Sequence, residues 1–296
     1  MLPISQLVEV ARTVDHDGSS PLALRIAQPW GCQEARFLRS SANHVFVCDN
    51  GILRFRPEEW GSAVARAADV ASRLAGYVAP PIPSLEGEVA VHTQGYVAAM
   101  FVAVGGRQVD EESLTTELAR TWGRALAGLH DVASGLDPTP ANPSWLDAVT
   151  EAAGSLSRPE IVGELRRLPT ADGLVGVVHG DPELDNIIWD ANGDPVFVDV
   201  DDVSRSWFAA DVCFALRDFE GSPLTDEFVA GYRESRPLMD EELSWLPLFR
   251  RAHALVTLAG LERILVEPVA DDWPDWANAL HTRLRDVAAR LQKVVD

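Results

Sequence analysis

The chain has 296 residues, of which 47% are hydrophobic, and its formal net charge is −20 at neutral pH. This length and composition allow a large hydrophobic core in one or two domains. The negative charge excludes nucleic acid as an expected partner, because phosphate backbones are bound by patches of Lys and Arg. The same acidity would suit a cationic small molecule, although it also serves solubility.

No segment approaches the roughly 18 consecutive apolar residues of a membrane span, and the first residues do not form a signal peptide. We therefore expect no membrane partner and a cytoplasmic location. The three cysteines, Cys32, Cys48 and Cys213, are far apart in apolar segments and are interpreted as small core residues. Lys293 is the only lysine, so arginine supplies almost all of the basic side chains.

The first 30 residues predict peripheral helices, and the segment from Cys32 to Phe55 predicts short β-strands. The runs HVFVCD and GILRFR flank an Asp-Asn-Gly turn at 49–51, which indicates a hairpin. A helix is predicted over 57–75, with Gly76 at its end. Its apolar side consists of Trp60, Val64, Ala67, Ala71 and Leu74.

Two further β-runs, at 88–94 and 96–102, precede Gly105-Gly106, which we interpret as a hinge between two lobes. A long amphipathic helix is predicted over 110–133, and the rest of the chain reads as mostly helical. The exception is a strand–loop–strand block between residues 175 and 203. The sequence thus predicts an α+β fold, with a small antiparallel β-rich lobe at 1–104 and a larger, mainly helical lobe at 105–296.

The residues suited to catalysis and metal binding are concentrated in VGVVHGDPELDNIIWDANGDPVFVDVDD, residues 175–202. Phosphoryl transfer needs a carboxylate that accepts the proton of the attacking hydroxyl, together with oxygen ligands for magnesium. Asp181 fits the first role, and Asn186 and Asp199 fit the second. An ordinary polar turn is the alternative interpretation of Asp181 and Asn186.

The motifs HGDPELDN, VFVDVDD and AADVCFAL, the GLH that ends at residue 130, and ANHVFV followed by GILRF resemble one phosphotransferase family. That family contains aminoglycoside kinases, choline kinases and bacterial homoserine kinases, and the resemblance covers nearly the whole chain. It implies a bilobal kinase-like fold and the use of ATP and Mg²⁺. By this resemblance Asp181 is the catalytic base, Asn186 and Asp199 bind magnesium, and His179 braces the catalytic loop.

The resemblance also implies that Asp211 hydrogen-bonds the catalytic loop, although a helix N-cap would explain the same residue. Asp201 and Asp202 are less defined. Strand alternation places residues 197, 199 and 201 on one face, so Asp201 is expected either to contact the metal beside Asp199 or to face solvent. Asp202 is a candidate for substrate binding.

Kinases of this superfamily hold nucleotide phosphates with a basic side chain on the third strand, paired with a helix glutamate. Here Arg54 takes the place of the lysine, and alternation along residues 52–56 directs Arg54 and Arg56 toward the cleft. An exposed strand arginine is the alternative. Around residue 67, where the helix glutamate would be expected, the nearest acid is Asp69.

No glycine-rich phosphate loop is present in the sequence. The turn at residues 40–43 makes Ser41 and Asn43 candidates for phosphate contacts, although such turns are common without a ligand. Adenine is expected at the hinge, against the backbone of Met100, Phe101, Val102 and Ala103.

Only eleven residues separate Asp199 from Asp211, too few for the activation loop of a protein kinase, so a small-molecule hydroxyl acceptor is expected. The stretch 244–266 and the loop 267–278 are candidates to enclose it. Acids there would hold ammonium groups and tryptophans would stack on a sugar or a cation; an exposed acidic loop with packed tryptophans is the alternative. The candidates are Glu262, Glu267, Asp271, Asp272, Trp273, Asp275 and Trp276.

These observations predict an ATP- and Mg²⁺-dependent phosphotransferase acting on a small molecule, with an amino sugar or amino alcohol as one option. A homoserine kinase-like metabolic kinase is a second. A nucleotide-binding regulator without turnover is the rival from another class, because the lysine and the helix glutamate are missing. Either a monomer or a homodimer is compatible with the sequence.

Overall fold

The computed structural model describes residues 1–74, 76–136, 143–217 and 219–296. Helices α1 (Ile4–Ala11) and α2 (Pro21–Ala27) precede the first strand, as the sequence predicts. Helix α2 starts where it does because Ser20 Oγ accepts the Ala23 N–H and Pro21 occupies the first turn, where no amide donor is needed.

The N-terminal lobe is built on an antiparallel sheet in the order β1-β2-β3-β6-β4, with β5 also paired to β6. The predicted hairpin is confirmed: β2 and β3 pair directly around the turn, with Cys48 opposite Gly51. The strands of this sheet are β1 (Ala35–Ser40), β2 (His44–Cys48), β3 (Gly51–Pro57), β4 (Pro81–Ile82), β5 (Val91–Thr93) and β6 (Tyr96–Phe101).

Strand β3 divides its side chains between two environments. Leu53 and Phe55 are fully buried in the core beneath the sheet, where they pack with Phe46 and α2. Because successive strand side chains point to opposite faces, Arg54 and Arg56 project to the other side, toward the C-terminal lobe.

Helix α3 runs over Ser62–Arg73, so the predicted start at residue 57 is wrong. Pro57 is the last residue of β3 and lies opposite Tyr96 of β6, and a short 3₁₀ turn at Glu58–Trp60 intervenes. Trp60 is consequently exposed instead of joining the apolar face of the helix. The helix ends at Arg73, and Gly76 beyond it has a φ of +93°, which is readily adopted only by glycine.

Two connections fix the lobes to each other. Ala79 donates to the Phe197 carbonyl at 3.0 Å, and Phe197 donates to the Tyr77 carbonyl at 2.8 Å. At the predicted hinge, a Cβ on Gly106 would lie 2.1 Å from the Trp189 carbonyl oxygen, so only glycine permits this approach. The next residue, Arg107, exchanges backbone hydrogen bonds with Trp189.

The C-terminal lobe is mainly helical. Its first long helix, α4, starts at Thr116 and not at residue 110, because Asp110 caps a separate 3₁₀ turn and Thr115 caps the helix itself. The helices are α4 (Thr116–Ser134), α5 (Trp145–Leu156), α6 (Pro159–Leu165), α7 (Phe208–Leu216), α8 (Pro223–Ser235), α9 (Asp240–Leu243), α10 (Leu246–Leu265) and α11 (Asp275–Val295).

The remaining strands form two small sheets, β7 (Val175–Val178) with β10 (Ser204–Trp207) and β8 (Ile187–Trp189) with β9 (Pro195–Phe197). One hydrophobic core joins α3 and β6 to the C-terminal lobe, around Trp122, Phe197 and Phe249. The fold is therefore the predicted α+β arrangement of a β-rich lobe on a helical lobe. None of the described helices is long and apolar enough to cross a membrane.

Candidate active site

The catalytic loop begins where β7 ends. Gly180 has a φ of +90°, and a Cβ at this position would lie 2.1 Å from the Asp202 carbonyl oxygen. A side chain here would therefore push the loop away from residues 200–202. The glycine allows His179 and Asp181 to face different parts of the site.

His179 and Asp211 hold the loop from below. The Asp211 carboxylate accepts the His179 N–H at 2.7 Å and the Gly180 N–H at 2.9 Å. His179 Nε2 lies 3.1 Å from the Val198 carbonyl oxygen, and its Nδ1 accepts the Asp181 N–H at 3.3 Å. His179 thus connects the loop that carries Asp181 to the strand end that carries Asp199.

Asp211 is fully buried and is supported in turn by His130 on α4. His130 Nε2 lies 3.1 Å from Asp211 Oδ2, and His130 Nδ1 lies 2.7 Å from the Tyr232 hydroxyl. Burial lowers the pKa of His130, which favours the neutral ring. The neutral ring donates to Asp211 and accepts from Tyr232, so both buried partners are satisfied.

Asp181 contacts two side chains besides the loop. Asn186 Nδ2 donates to Asp181 Oδ2 at 3.2 Å and to the Asp181 carbonyl at 3.0 Å, which leaves the Asn186 Oδ1 oxygen for a metal. Arg217, which follows α7, donates to Asp181 Oδ1 at 2.8 Å and also binds Glu183. The sequence offered no signal for this arginine, since its approach to Asp181 depends on how α7 packs.

Asp199 follows β9 with a φ of +65°, in the left-handed region. Its two carboxylate oxygens bind two arginines of the N-terminal sheet: Oδ1 accepts from Arg54, and Oδ2 accepts from Arg39 at 3.0 Å. Residues 200–202 then form a 3₁₀ turn. The strand alternation that we expected for Asp199 and Asp201 is therefore wrong, because the strand has already ended.

Asp201 nevertheless faces the same arginines. Its Oδ1 lies 3.2 Å from Arg54 Nη2, and its Oδ2 binds Arg56 and accepts from Asn43 Nδ2. Arg56 Nε also donates to Asn43 Oδ1 at 2.7 Å. Burial by itself would raise the pKa of Asp201, but the guanidinium groups of Arg54 and Arg56 hold it below its usual value.

Helix α3 does not supply the acid that pairs with Arg54. Asp69 is exposed and binds Arg73 one turn further along the same helix, at 2.8 Å. Arg66 is the α3 side chain that lines the same cleft as Asp181, and the negative charges of Asp201 and Asp202 attract its guanidinium group.

A cavity of about 320 Å³ lies between the sheet and the catalytic hairpin. Apolar side chains form its two walls, and Arg39, Arg54 and Asp199 lie at one end. The backbone from Phe101 to Val104 forms its edge at the linker. The apolar lining residues are Leu38, Val45, Ile52, Val78, Ile188, Val198 and Val200.

Three of the expected nucleotide contacts lie elsewhere. Met100 is fully buried in the core beneath the sheet, and Asn43 is occupied by Arg56 and Asp201. Ser41 does not line the cavity, and its N–H donates to the Asn43 carbonyl. Val102 and Ala103 do line it, but the Val102 N–H is used by the Pro80 carbonyl at 2.9 Å.

The donor set suits magnesium bound together with a nucleotide. Within the described ranges, no three side chains from His, Cys, Asp and Glu converge to form a metal cage of their own. Magnesium in nucleotide sites is bound by one or two protein carboxylates plus phosphate oxygens, so a complete cage is not required. Asn186 Oδ1 and the Asp199 carboxylate are oxygen donors of the required kind.

A second cleft, of about 580 Å³, is lined by Asp181, which does not line the first cavity. Its walls come from α5 and α10, through residues such as Trp145, Val256 and Leu261. Its charged groups are Asp181, Glu183, Asp201, Asp202, Arg66, Arg217, Arg263 and the amino group of Met1.

Asp202 differs from the other acids of this cleft. Asp202 is exposed to solvent, but it lies in the concave lining of the cleft, where protein atoms surround it on most sides. This desolvation, with the nearby negative charges of Asp181, Asp201 and Asp199, raises the pKa of Asp202 to about 6. Among the described residues, no basic side chain lies within 4.0 Å of the Asp202 carboxylate, the limit for a salt bridge. Asp202 is therefore mostly ionised at neutral pH, and the Met1 amino group, which lines the same cleft, lowers its pKa without forming a salt bridge to it.

The acidic loop 267–278 does not border this cleft. Its acids and tryptophan instead hold α1: Glu267 accepts the Ser5 N–H at 3.2 Å, Asp272 binds Arg12 at 2.7 Å, and Trp273 packs on Ile4 and Val8. The other predicted substrate residues are exposed outside the cleft, Glu262 in a groove beside α5, Trp276 in a groove beside β1, and Asp271 and Asp275 on the surface.

Known proteins share this arrangement. The model of the phosphotransferase enzyme family matches residues 34–246. Amicoumacin kinase of Bacillus subtilis (strain 168) is 27% identical in an alignment that covers 75% of this chain and 78% of that protein.

Solved structures agree with the fold. An amicoumacin kinase, hAmiN, in complex with AMP-PNP, Ca²⁺ and Ami superposes with a TM-score of 0.71 at 19% identity, covering 95% of this chain and 96% of that one. A microcompartment-associated aminopropanol kinase has a TM-score of 0.63 at 21% identity, covering 91% and 94%.

The chain belongs to the phosphotransferase enzyme family, because the family model covers well over half of it. It has the kinase-like fold of that family and is a phosphotransferase of the small-molecule kinase class.

Proposed function

We propose that this protein transfers the γ-phosphate of ATP, in a magnesium-dependent reaction, to a hydroxyl of a small molecule that also carries an amino group. The observation that carries the proposal is that His179 links two neighbouring clefts, one lined by Asp199 and the other by Asp181. One cleft is apolar with arginines at its inner end, and the other is charged and large enough for a small acceptor.

The first cleft suits a nucleotide. Its apolar walls would enclose a purine ring beside the linker backbone, and Arg39 and Arg54 at the far end would contact phosphate oxygens. Arginine binds phosphate through a planar group with several donors, so it can replace a lysine here with different geometry. Asp199 already binds both arginines, which shows that the three side chains reach the same point.

Asp181 would accept the proton of the acceptor hydroxyl as its oxygen attacks the γ-phosphorus. Asn186 Nδ2 and Arg217 each donate to one of the two carboxylate oxygens, which restrains the carboxylate where it borders the second cleft. A positioned base lowers the barrier by having the proton acceptor in place when the hydroxyl reacts. Asn186 Oδ1 and Asp199 would hold Mg²⁺, which neutralises phosphate charge when bound.

Asp202 supports an amino group on the acceptor. Its carboxylate is mostly ionised at neutral pH and lies near three other acids, and among the described residues the Met1 amino group acts on it only from beyond salt-bridge distance. An ammonium group beside it would relieve the repulsion between these carboxylates. The apolar wall from Trp145, Val256 and Leu261 would contact the carbon skeleton of such an acceptor.

The test is Asp181→Ala, assayed for nucleotide binding and for phosphoryl transfer. Acceptors are first found by ATP turnover on a panel of amino alcohols and amino sugars, with uncharged and anionic alcohols alongside. We expect kcat to fall by roughly 10²–10⁴, the usual contribution of a general base. Calorimetry should show magnesium-ATP affinity within about twofold of the wild-type value, because the metal ligands remain.

Asp194→Asn is the matched control, since Asp194 is an exposed acid in the turn between β8 and β9. It should leave both measurements unchanged. Wild-type turnover by Asp181→Ala would remove Asp181 from the mechanism. A panel in which only uncharged or anionic alcohols are phosphorylated would remove the amino group from the proposal and leave the kinase activity standing.

A further inference from the structure

Arg54 is buried in the nucleotide cleft and needs an anionic partner. Only 7% of its surface is exposed, and burying an unpaired guanidinium group would be costly. The helix that packs above it, α3, offers no such partner: Asp69 is exposed and bound to Arg73, and Arg66 adds a second positive charge. The partner of Arg54 must therefore come from another element.

Asp201 is placed to be that partner. Its carboxylate is 5% exposed and lies 3.2 Å from Arg54 Nη2, while its other oxygen binds Arg56 and Asn43. Asn43 is itself 2% exposed and bonded to Arg56. The carboxylate is thus fixed from several directions before any nucleotide arrives.

We propose that Asp201 is a positioning residue that holds Arg54 in the nucleotide cleft, in place of an acid on α3, and that it does not bind the metal. The inference rests on the proposed function and adds a role for a residue outside the reacting groups. Arg54 is the group that touches the phosphates, and Asp201 acts through it.

The division between the two aspartates follows from their contacts. Asp201 has both oxygens occupied by buried side chains, whereas Asp199 binds Arg54 and the half-exposed Arg39 at the edge of the cavity. A nucleotide with magnesium can draw Asp199 toward the metal and Arg39 toward a phosphate. Asp201 would keep Arg54 in place when Asp199 changes partner.

Arg54 retains donors for the phosphates in this arrangement. Its hydrogen bond to Asp199 and its closest approach to Asp201 both use Nη2, and among the described residues no hydrogen bond uses its Nη1 or Nε. Its Cζ lies 5.6 Å from the centre of the Phe101 ring, which further restricts the guanidinium plane. The Nη1 and Nε donors can then bind phosphate oxygens from a fixed position, with little ordering of the side chain on binding.

The experiment separates a metal ligand from a positioning residue by measuring ADP affinity in EDTA and, separately, the Mn²⁺ concentration that saturates the ADP complex. The variants are Asp201→Asn, Arg54→Met and the double variant, with Asp199→Asn for comparison. We expect Asp201→Asn to weaken metal-free ADP binding roughly tenfold, to the level of Arg54→Met, with no further loss in the double variant. Its Mn²⁺ midpoint should equal that of the wild type, whereas Asp199→Asn should raise the midpoint.

Removal of a negative charge beside the phosphates would by itself strengthen ADP binding, so the expected loss has the opposite sign to a simple charge effect. Equal or tighter metal-free binding by Asp201→Asn overturns the proposal. A raised Mn²⁺ midpoint in Asp201→Asn also overturns it, because that result identifies a metal ligand. Additive losses from Arg54→Met and Asp201→Asn overturn the link between the two residues.

Should Asp201→Asn fail to fold, Asn43→Ala tests the same link without removing the acid. It releases one contact of Asp201, and metal-free ADP binding should weaken about threefold in the presence of Arg54 and not at all in the Arg54→Met background. An equal effect in both backgrounds contradicts the inference. A wild-type protein that binds no ADP in either condition would instead sink the proposed function, which is a distinguishable result.

Discussion

The two sides of the interlobe cleft contain the same kinds of charged residue with different pairing. Arg54 and Asp199 line the nucleotide side and are bound, with Arg56 and Asp201 behind them, in a largely buried network, of which Asp201 also reaches the acceptor cleft. On the acceptor side, Arg217 restrains Asp181 and Glu183, but Asp202 is without a described salt bridge.

This difference in charge pairing fits the different ligands that the two sides would bind. A phosphate group is small and highly charged, so its partners must be held in fixed positions before it binds. On the acceptor side the Asp202 carboxylate forms no described salt bridge, so a positively charged acceptor could neutralise it and would be selected over an uncharged one. The comparison predicts that substitutions on one side leave the other side's ligand unaffected.

Asp211→Ala is expected to have the largest effect, because Asp211 supports the loop that borders both clefts. The change leaves the His179 and Gly180 N–H groups and His130 without their buried acceptor. We expect a loss of about 3–5 kcal/mol in the free energy of unfolding, measured with denaturant. Asp226→Ala, in the exposed first turn of α8, is the control. An Asp211→Ala protein as stable as this control would refute the supporting role.

Arg217→Met should act on the acceptor side alone. Without its guanidinium group, Asp181 loses one of the contacts that orient it. We expect kcat to fall by roughly tenfold or more, since misplacement of a catalytic group is costly, while magnesium-ATP affinity stays unchanged. Arg233→Met removes a comparable surface pair with Asp240 and should alter neither value. A parallel loss of nucleotide affinity in Arg217→Met would break the distinction between the two sides.

Asp202→Asn should produce the smallest change, and the size of that change depends on pH. Because the folded pKa is raised from 3.8 to about 6, the favourable contribution of the protonated acid is complete below pH 3.8 and is lost as pH rises through 6. At pH 7.5 the ionised Asp202 carboxylate destabilises the folded protein. Asparagine cannot ionise, so the variant should melt roughly 1–3 °C above the wild type at this pH.

At pH 3.5 the two melting temperatures should nearly coincide, since Asp202 is then protonated in the folded chain and mostly protonated in the unfolded one. Thermal unfolding at the two pH values checks this. An identical difference at both would show that the charge of Asp202 is not the cause.

Local patterns predicted the parts of the molecule that depend on neighbouring residues in the chain. The β2–β3 hairpin follows from its Asp-Asn-Gly turn, and the burial of Leu53 and Phe55 follows from alternation. The start of α3 did not follow, because Pro57 is drawn into β3 by pairing with Tyr96, about forty residues away. A contact between residues so far apart in the chain cannot be recognised from the local sequence of residues 57–75.

The same distinction applies to the site. The spacing of Asp181, Asn186 and Asp199 is a local signature, so these residues could be singled out before their geometry was known. Arg39, Arg217 and the pairing of Asp201 with Arg54 could not, because they meet across elements far apart in sequence. The acidic loop 267–278 has the composition expected for a cationic ligand, yet its charges and Trp273 are used to hold α1.

By itself, then, the sequence determined the class of fold, the order of its elements and the residue types available for phosphoryl transfer. Tertiary packing alone decided which charges are paired, which remain available to a ligand and which surface forms the acceptor cleft. The physical reason is that periodicity and turn chemistry act over a few residues, whereas the pairing of a charge depends on the groups that folding brings within a few ångströms of it.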